Sequence, residues 1–199
     1  DIYKGNYQGL YCYGCETFYL EKDLDKGKCK VHGTKAELIK EESYFFKLSH
    51  YQKQLLEYYK SHPEFLQPPQ RANEVIRFVE EGLRDLAVSR SKIRWGIPVP
   101  SDKGHVIYVW FDALLNYLTA TGYTPPSPAA LRKSQATMWP ADIHLVGKEI
   151  YRFHTIIWPA MLLALDLPLP HTVFAHGWWT VEGEKMSKSK GNFINPRDI

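Results

Sequence analysis

The stretch Ile143-His144-Leu145-Val146-Gly147-Lys148-Glu149-Ile150 decides the fold, because it passes from a short apolar run into a long helical pattern that begins at about Lys148. Upstream, His105-Val106-Ile107-Tyr108-Val109-Trp110 is a second such run, with a helix expected from about Asp112. Downstream, Thr172-Val173-Phe174-Ala175 is a third. Short apolar runs alternating with helices predict parallel strands joined by right-handed crossovers. The fold class is therefore α/β, with residues 101–199 forming the core of a doubly wound sheet. Sheets of this kind bind ligands at the carboxyl ends of their strands, which here are Trp110, Gly147 and His176.

Helical geometry places further residues beside those ends. Positions 110, 113 and 117 advance by 300° and 700° along a helix, so Trp110, Ala113 and Tyr117 fall within a narrow arc. Ile150, Phe153 and His154 share a face by the same spacing, and Trp158-Pro159 should bend that helix. The outcome is an apolar, aromatic pocket with two polar tips, Tyr117 and His154. Taken singly, each of these residues fits sheet packing as well; their position directly after strand ends favours a site.

Before residue 100 the pattern is different. All three cysteines lie in Cys12-x2-Cys15, and then, after thirteen residues, Cys29-x2-His32. Two such knuckles bring four soft ligands to one point and complete the closed tetrahedron that structural Zn²⁺ prefers. No position remains for water, so the metal should hold the fold and perform no hydrolysis. Three thiolates imply a reducing compartment, which for this chain is expected to be the cytoplasm. Gly9-Leu10-Tyr11 and Thr17-Phe18-Tyr19-Leu20 are the short β-prone runs of a zinc ribbon spanning about residues 10–35. Ser49-His50-Tyr51-Gln52 has the form of a capping box, followed by Tyr51, Leu55 and Tyr58 or Tyr59 at helical spacing up to Pro63. After Pro68-Pro69, Asn73 can cap a helix with Val75, Phe78 and Val79 on one face, ending at Gly82. Trp95-Gly96-Ile97-Pro98-Val99-Pro100 is too rich in Pro and Gly for a helix or central strand. A domain boundary is expected there, giving domains 1–100 and 101–199.

Composition excludes several classes. Of 199 residues 44% are apolar and 24% charged, the balance of a folded globular protein. The net charge of +3 is too small and too scattered to indicate a nucleic-acid binder by itself. No run of 18 apolar residues suggests a membrane partner. The first residues lack an export signal, and both ends read as cut: there is no initial Met, and Asn195-Pro196 reads as a helix just starting.

After the third strand comes His176-Gly177-Trp178-Trp179, then Glu182-Gly183-Glu184-Lys185-Met186-Ser187-Lys188-Ser189-Lys190-Gly191-Asn192. Three lysines among small hydroxyl residues and glycines suit a polyphosphate leaving group that gains charge in a transition state. Lys185 to Ser189 is letter for letter the KMSKS signature, and the chain thereby resembles class I aminoacyl-tRNA synthetases. Trp110-Phe111-Asp112-Ala113 with Tyr117, Gly147-Lys148-Glu149-Ile150 with Phe153-His154, and Trp158-Pro159-Ala160-Met161 are similar to the amino-acid pocket of the methionyl enzymes. The cysteine knuckles resemble the zinc knuckle of the connective peptide inserted between the halves of their Rossmann-like nucleotide fold.

This resemblance implies ATP-dependent activation of methionine, with Mg²⁺, and transfer of the methionyl group to tRNA(Met). It implies that Trp110, Ala113, Tyr117, Ile150 and His154 surround the methionine side chain, with the Tyr117 hydroxyl near the sulfur. Gly147 and Glu149 would hold the ATP ribose, Glu149 standing where the family often has Asp. His176 and Gly177 would precede the adenine-side loop. Met186, Ser187 and Ser189 belong to the ATP-binding signature, and Lys185 and Lys188 would stabilise the departing pyrophosphate. The family's His-x-Gly-His element is absent, so the chain is expected to hold only the second half of the active site and not to aminoacylate alone. The rival readings are another class I synthetase, whose editing insertions are much longer, and a zinc-ribbon RNA-binding module without chemistry, which leaves the lysine loop unexplained.

Overall fold

The computed structural model describes every residue except 13–16, 20, 22, 23, 31, 123–137, 187–190, 196, 198 and 199. In chain order its strands are β1 (Ile2–Cys12), β2 (Thr17–Tyr19), β3 (Glu37–Phe46), β4 (Leu66–Gln67), β5 (Leu86–Ala87), β6 (Ser89–Arg90), β7 (Pro98–Val99), β8 (Asp102–Ile107), β9 (Ile143–Gly147), β10 (Thr172–His176), β11 (Thr180–Val181) and β12 (Glu184–Lys185). The α-helices are α1 (Gln52–Ser61), α2 (Pro69–Glu80), α3 (Val109–Ala120) and α4 (Trp158–Ala164). Two compact units result: Asp1–Leu48 with Arg84–Ala113, and Ser49–Leu83 with Leu114–Ile199. This differs from the single boundary near residue 100 read from the sequence. Residues 49–83 belong with the later half because β4 joins its sheet and α2 packs beside β4.

In the first unit β1 and β3 pair antiparallel from Ile2↔Phe46 to Tyr11↔Glu37, within a sheet ordered β2-β1-β3-β5. β3 escapes a hydrophobic reading because its inward positions alternate Glu41, Ser43 and Phe45, all buried. The polar ones are satisfied. Glu41 Oε1 accepts from Ser91 N–H at 2.9 Å, the Ser91 hydroxyl at 2.9 Å and Lys92 N–H at 3.2 Å, while the Ser43 hydroxyl donates to Ser89 O at 2.8 Å. Buried polar groups paired in this way cost little and fix the register.

The run His105–Trp110, expected as a parallel strand, is corrected. β8 spans Asp102–Ile107 and pairs antiparallel with β6 and β7, in a sheet ordered β6-β8-β7. Two residues separate β7 from β8, and eleven, with β7 among them, separate β6 from it; connections so short hold no crossover helix. Trp110 accordingly stands in the first turn of α3 and not at a strand end. That helix begins at Val109, three residues before the expected start, and runs through the division between the two units.

The second unit is α/β as expected, with a three-stranded parallel sheet ordered β4-β10-β9. Val173 on β10 and Leu55, Phe65, Val79, Trp158 and Leu162 around it are fully buried. Each such side chain contributes roughly 1.5–3 kcal/mol. Two cap assignments change. A 3-10 turn over Leu48–Tyr51 precedes α1, whose N-cap Tyr51 makes no side-chain cap bond, and Gln52 Oε1 instead accepts Leu83 N–H at 2.9 Å. α2 starts at Pro69, not after Asn73, because a proline at the first position gives up no hydrogen bond. Val75 and Val79 are buried on it as read, but Phe78 is 37% exposed beneath the Arg152 guanidinium. Among the described residues no helix is long and apolar enough to cross a membrane.

Candidate functional site

β9 and β10 run in register from Thr172↔Ile143 to His176↔Gly147, so the segments after Gly147 and His176 leave adjacent strand ends together. The chain after Gly147 is helical but irregular: a 3-10 turn over Lys148–Ile150, a π-helix over Phe153–Ile157, then α4. Expected as a bend at Trp158-Pro159, the irregularity lies in the turn before it. Pro159 has no N–H to offer the Thr155 carbonyl, and that carbonyl takes the Tyr59 hydroxyl at 2.6 Å instead. The Thr155 hydroxyl donates to Tyr151 O at 2.8 Å, and His154 Nδ1–H donates to Ile150 O at 3.0 Å. Side chains thus occupy carbonyls that a regular helix would reserve for its backbone. A local π-turn of this kind commonly marks a functional segment.

His154 is held by hydrogen-bond accounting. The Ile150 carbonyl only accepts, so Nδ1 carries a proton; Nε2 of the neutral ring then accepts from the Tyr117 hydroxyl at 2.8 Å. Burial pushes the His154 imidazole below its usual range. His144 on β9, which the sequence reading missed, packs with its ring centroid 4.4 Å from that of Tyr117, tilted by 50°, and accepts Trp158 Nε1–H at 3.3 Å. Burial, with His154 nearby, takes it down to about 4. Trp139, whose indole donates to Pro168 O at 3.0 Å, closes the group against Trp158. The product is an uncharged aromatic cluster, buried at His144, His154, Trp139 and Trp158, whose one hydroxyl is on the half-buried Tyr117. Its signal in the sequence was parity along β9, where His144 and Val146 turn inward and Ile143 and Leu145 outward.

Tyr117, Ile150 and His154 are therefore brought together. Trp110 and Ala113 share α3 with Tyr117 at helical spacing, but they fall in the first unit.

At the strand ends lies a charged group. Glu149 Oε2 accepts Trp178 Nε1–H at 3.1 Å, and Oε1 stands 3.6 Å from Lys185 Nζ. Its own backbone N–H foremost, with Trp178 and Lys185, holds this carboxyl below the usual range. The carboxylate folds back over Gly147, where a Cβ would meet Oε2 at 2.7 Å, so a side chain at 147 would push the Glu149 carboxylate aside. His176 is exposed, its Nδ1–H donating to Gly177 O at 2.7 Å. Lys185 comes from a β11–β12 hairpin in which Thr180 faces Lys185, more ordered than the loop expected. Met186 Sδ accepts Ile194 N–H at 3.4 Å. Ser187, Lys188 and Ser189 lie outside the described residues.

In the first unit β1 delivers Cys12 at its last residue, and Cys29 and His32 sit on a tight turn. Gly33, at φ +66°, lets its N–H reach Cys29 O at 2.8 Å, which folds His32 back. Both sulfurs lie 3.9 Å from His32 Nδ1, and the three ligand atoms fall within 4.8 Å of one another. A tetrahedral zinc with S and N ligands has an edge of about 3.6 Å, so this donor set fits the metal. The Thr34 hydroxyl at 3.7 Å from Cys12 Sγ and the Tyr19 hydroxyl at 4.0 Å from Cys29 Sγ are placed to orient the thiols. Cys15 lies outside the described residues.

The family profile described as "tRNA synthetases class I (M)" matches residues 2–199. The chain belongs to this family. It is 58% identical over its whole length to a methionine–tRNA ligase of Caldanaerobacter subterraneus subsp. tengcongensis, of which it covers 31%. It is 52% identical to the Streptomyces coelicolor methionine–tRNA ligase, covering 38% of that protein. A solved structure, Mycobacterium tuberculosis methionyl-tRNA synthetase in complex with methionyl-adenylate, superposes with a TM-score of 0.83 at 44% identity, over 98% of this chain and 38% of the other. The chain thus spans about a third of the length of the class I synthetases it matches, and the α/β expectation agrees with that family.

Proposed function

We propose that the chain is part of a methionine–tRNA ligase, which activates methionine with ATP and transfers it to tRNA(Met). The observation that carries this reading is the buried, neutral His154 with its two ring nitrogens engaged by Ile150 and Tyr117. A largely buried, uncharged aromatic cluster of this kind suits an apolar side chain and disfavours a charged one, because an unpaired charge there would lose hydration. In this reading Tyr117, Ile150 and His154 meet the methionine side chain. Gly147, Glu149, His176 and Gly177 meet the nucleoside, and Lys185 to Ser189 meet the triphosphate. A methionine carboxylate oxygen bonds to the α-phosphorus of ATP, and the bond from that phosphorus to the bridging oxygen breaks. Pyrophosphate departs with the electron pair, and Lys185 and Lys188 neutralise the charge gathering on it.

The unit of residues 1–48 and 84–113 acts as the connective peptide, with Cys12, Cys15, Cys29 and His32 holding a structural zinc, and the unit of residues 49–83 and 114–199 as part of the nucleotide-binding fold. Ile143 and Leu145 on β9 and Phe174 on β10 are exposed apolar residues on the sheet, which favours a larger doubly wound sheet in the full protein. Magnesium would arrive with the nucleotide; among the described residues the one group of three metal-ligating side chains is Cys12, Cys29 and His32. Thiolate ligands favour the reducing cytoplasm. Equilibrium binding of amino acids to the full-length protein tests the reading: methionine should bind well ahead of leucine, isoleucine and valine. Equal binding of all four, or none, would remove methionine as the substrate.

A further inference from the structure

Trp178 has no part in the scheme above, yet it touches Lys148, Glu149 and Lys185 at the strand ends. Its indole Nε1–H donates to Glu149 Oε2 at 3.1 Å. Lys148 Nζ lies 3.8 Å and Lys185 Nζ 4.4 Å from the centroid of its ring, both well inside the range of a cation–π contact. Lys185 is at the same time 3.6 Å from Glu149 Oε1. The parallel register places this assembly: His176 opposite Gly147 brings Trp178 beside Glu149, and the β11–β12 hairpin returns Lys185 to both. The consequence is a conflict. Both oxygens of Glu149 are engaged, one by the indole and one by the lysine, so a ribose hydroxyl pair can take that carboxylate only by displacing them.

We propose that Trp178 is a positioning residue: its indole holds Lys185 against Glu149 until a ribose takes the carboxylate, so that nucleoside binding itself releases the lysine to the phosphates. The proposal rests on the assignment of Glu149 to the ribose and Lys185 to pyrophosphate made above. The contacts are weak enough to open, since Lys185 and Glu149 are each nearly half exposed and such ion pairs are individually minor. Lys148, on the same ring, remains behind when Lys185 leaves and keeps the indole in place.

Linkage makes the device measurable. If adenosine releases Lys185 for pyrophosphate, then adenosine must tighten pyrophosphate binding, and pyrophosphate must tighten adenosine binding by the same factor. Calorimetric titration of the full-length protein with magnesium pyrophosphate, alone and at saturating adenosine, reads that factor. Wild type should show at least about a fivefold tightening, the lower end of ordinary coupling between sites. In Trp178→Leu the factor should fall to within about twofold of unity, because pyrophosphate alone now binds as it does to adenosine-loaded wild type. Trp178→Phe keeps a ring under the lysine but lacks the Nε1–H, and should lie between; it carries the test if the leucine variant does not fold. Wild type binding both ligands without coupling, or Trp178 variants that retain full coupling, would overturn the proposal while leaving the site assignment intact. Failure of wild type to bind adenosine at all would overturn the assignment and the proposal with it.

Discussion

Two histidines are held by opposite means. His32, exposed on its turn, points one ring nitrogen at two sulfurs 3.9 Å away, a geometry that makes sense as the corner of a metal site. His154 is buried, with Tyr117 on one nitrogen and Ile150 on the other. In the proposed zinc reading the first arrangement is completed by a metal, whereas the second is completed by the protein alone. The knuckle should therefore fail all at once when its metal is removed, and the aromatic cluster should lose function in small steps, one hydrogen bond at a time.

The largest expected effect follows from the first half of that comparison. Structural zinc contributes on the order of 10 kcal/mol or more to a small knuckle. A chelator should unfold residues 1–48, read as loss of amide protection there, while residues 143–176 keep theirs. Protection surviving in the knuckle after the metal is stripped would end the contrast.

Next in size is Lys185→Ala in the full-length protein. Adenylate formation should slow by roughly 10²–10³-fold, the scale of one lost charge-stabilising group. The KM for ATP should stay within a few-fold, because the interaction matters when pyrophosphate departs. Lys188→Ala carries the same expectation, and Lys190→Ala, outside the five-residue signature, should have little effect. Equal small losses at all three would reduce the segment to a basic surface turn.

A pH dependence separates the two histidine environments further. His144 titrates at about 4 in the folded chain against about 6.5 unfolded. The unfolded state then binds more protons between those values, so stability is fully present above about 6.5 and is lost as pH falls toward 4. The loss is at most about 3 kcal/mol from this residue. His154, also lowered by burial, works in the same direction. Proton resonances of the imidazoles should show His144 still neutral at pH 5.5; a His144 that titrates near 6.5 would contradict the buried cluster.

What the sequence disclosed follows the same division. Spacing alone placed Cys12, Cys29 and His32 together, because a metal imposes a point that intervals along the chain can reveal. β9, β10 and the helix after Lys148 were legible from their apolar periods. β3 was not, since its buried face is Glu41, Ser43 and Phe45, and a buried carboxylate satisfied by Ser91 and Lys92 leaves no hydrophobic trace. β8 was assigned to the wrong sheet because an apolar run records burial but not the direction of its partner. β4 is two residues long and carries no period at all. His144 was hidden inside a run read as uniformly apolar, although one face of that strand is buried and the other exposed. Trp178 gave no signal, because its importance lies in contacts with Lys148, Glu149 and Lys185 that only the strand register creates.

The smallest expected effect tests the central claim most directly, that the Tyr117–His154 pair recognises methionine. Tyr117→Phe removes the donor on His154 Nε2 without changing the ring, a loss of about 1 kcal/mol for a neutral hydrogen bond. Methionine-dependent ATP–pyrophosphate exchange should be measured on the full-length protein and on this variant. The account predicts a methionine KM raised about fivefold, with kcat and the KM for ATP nearly unchanged. An unaltered methionine KM, or an equal rise in the KM for ATP, would contradict it.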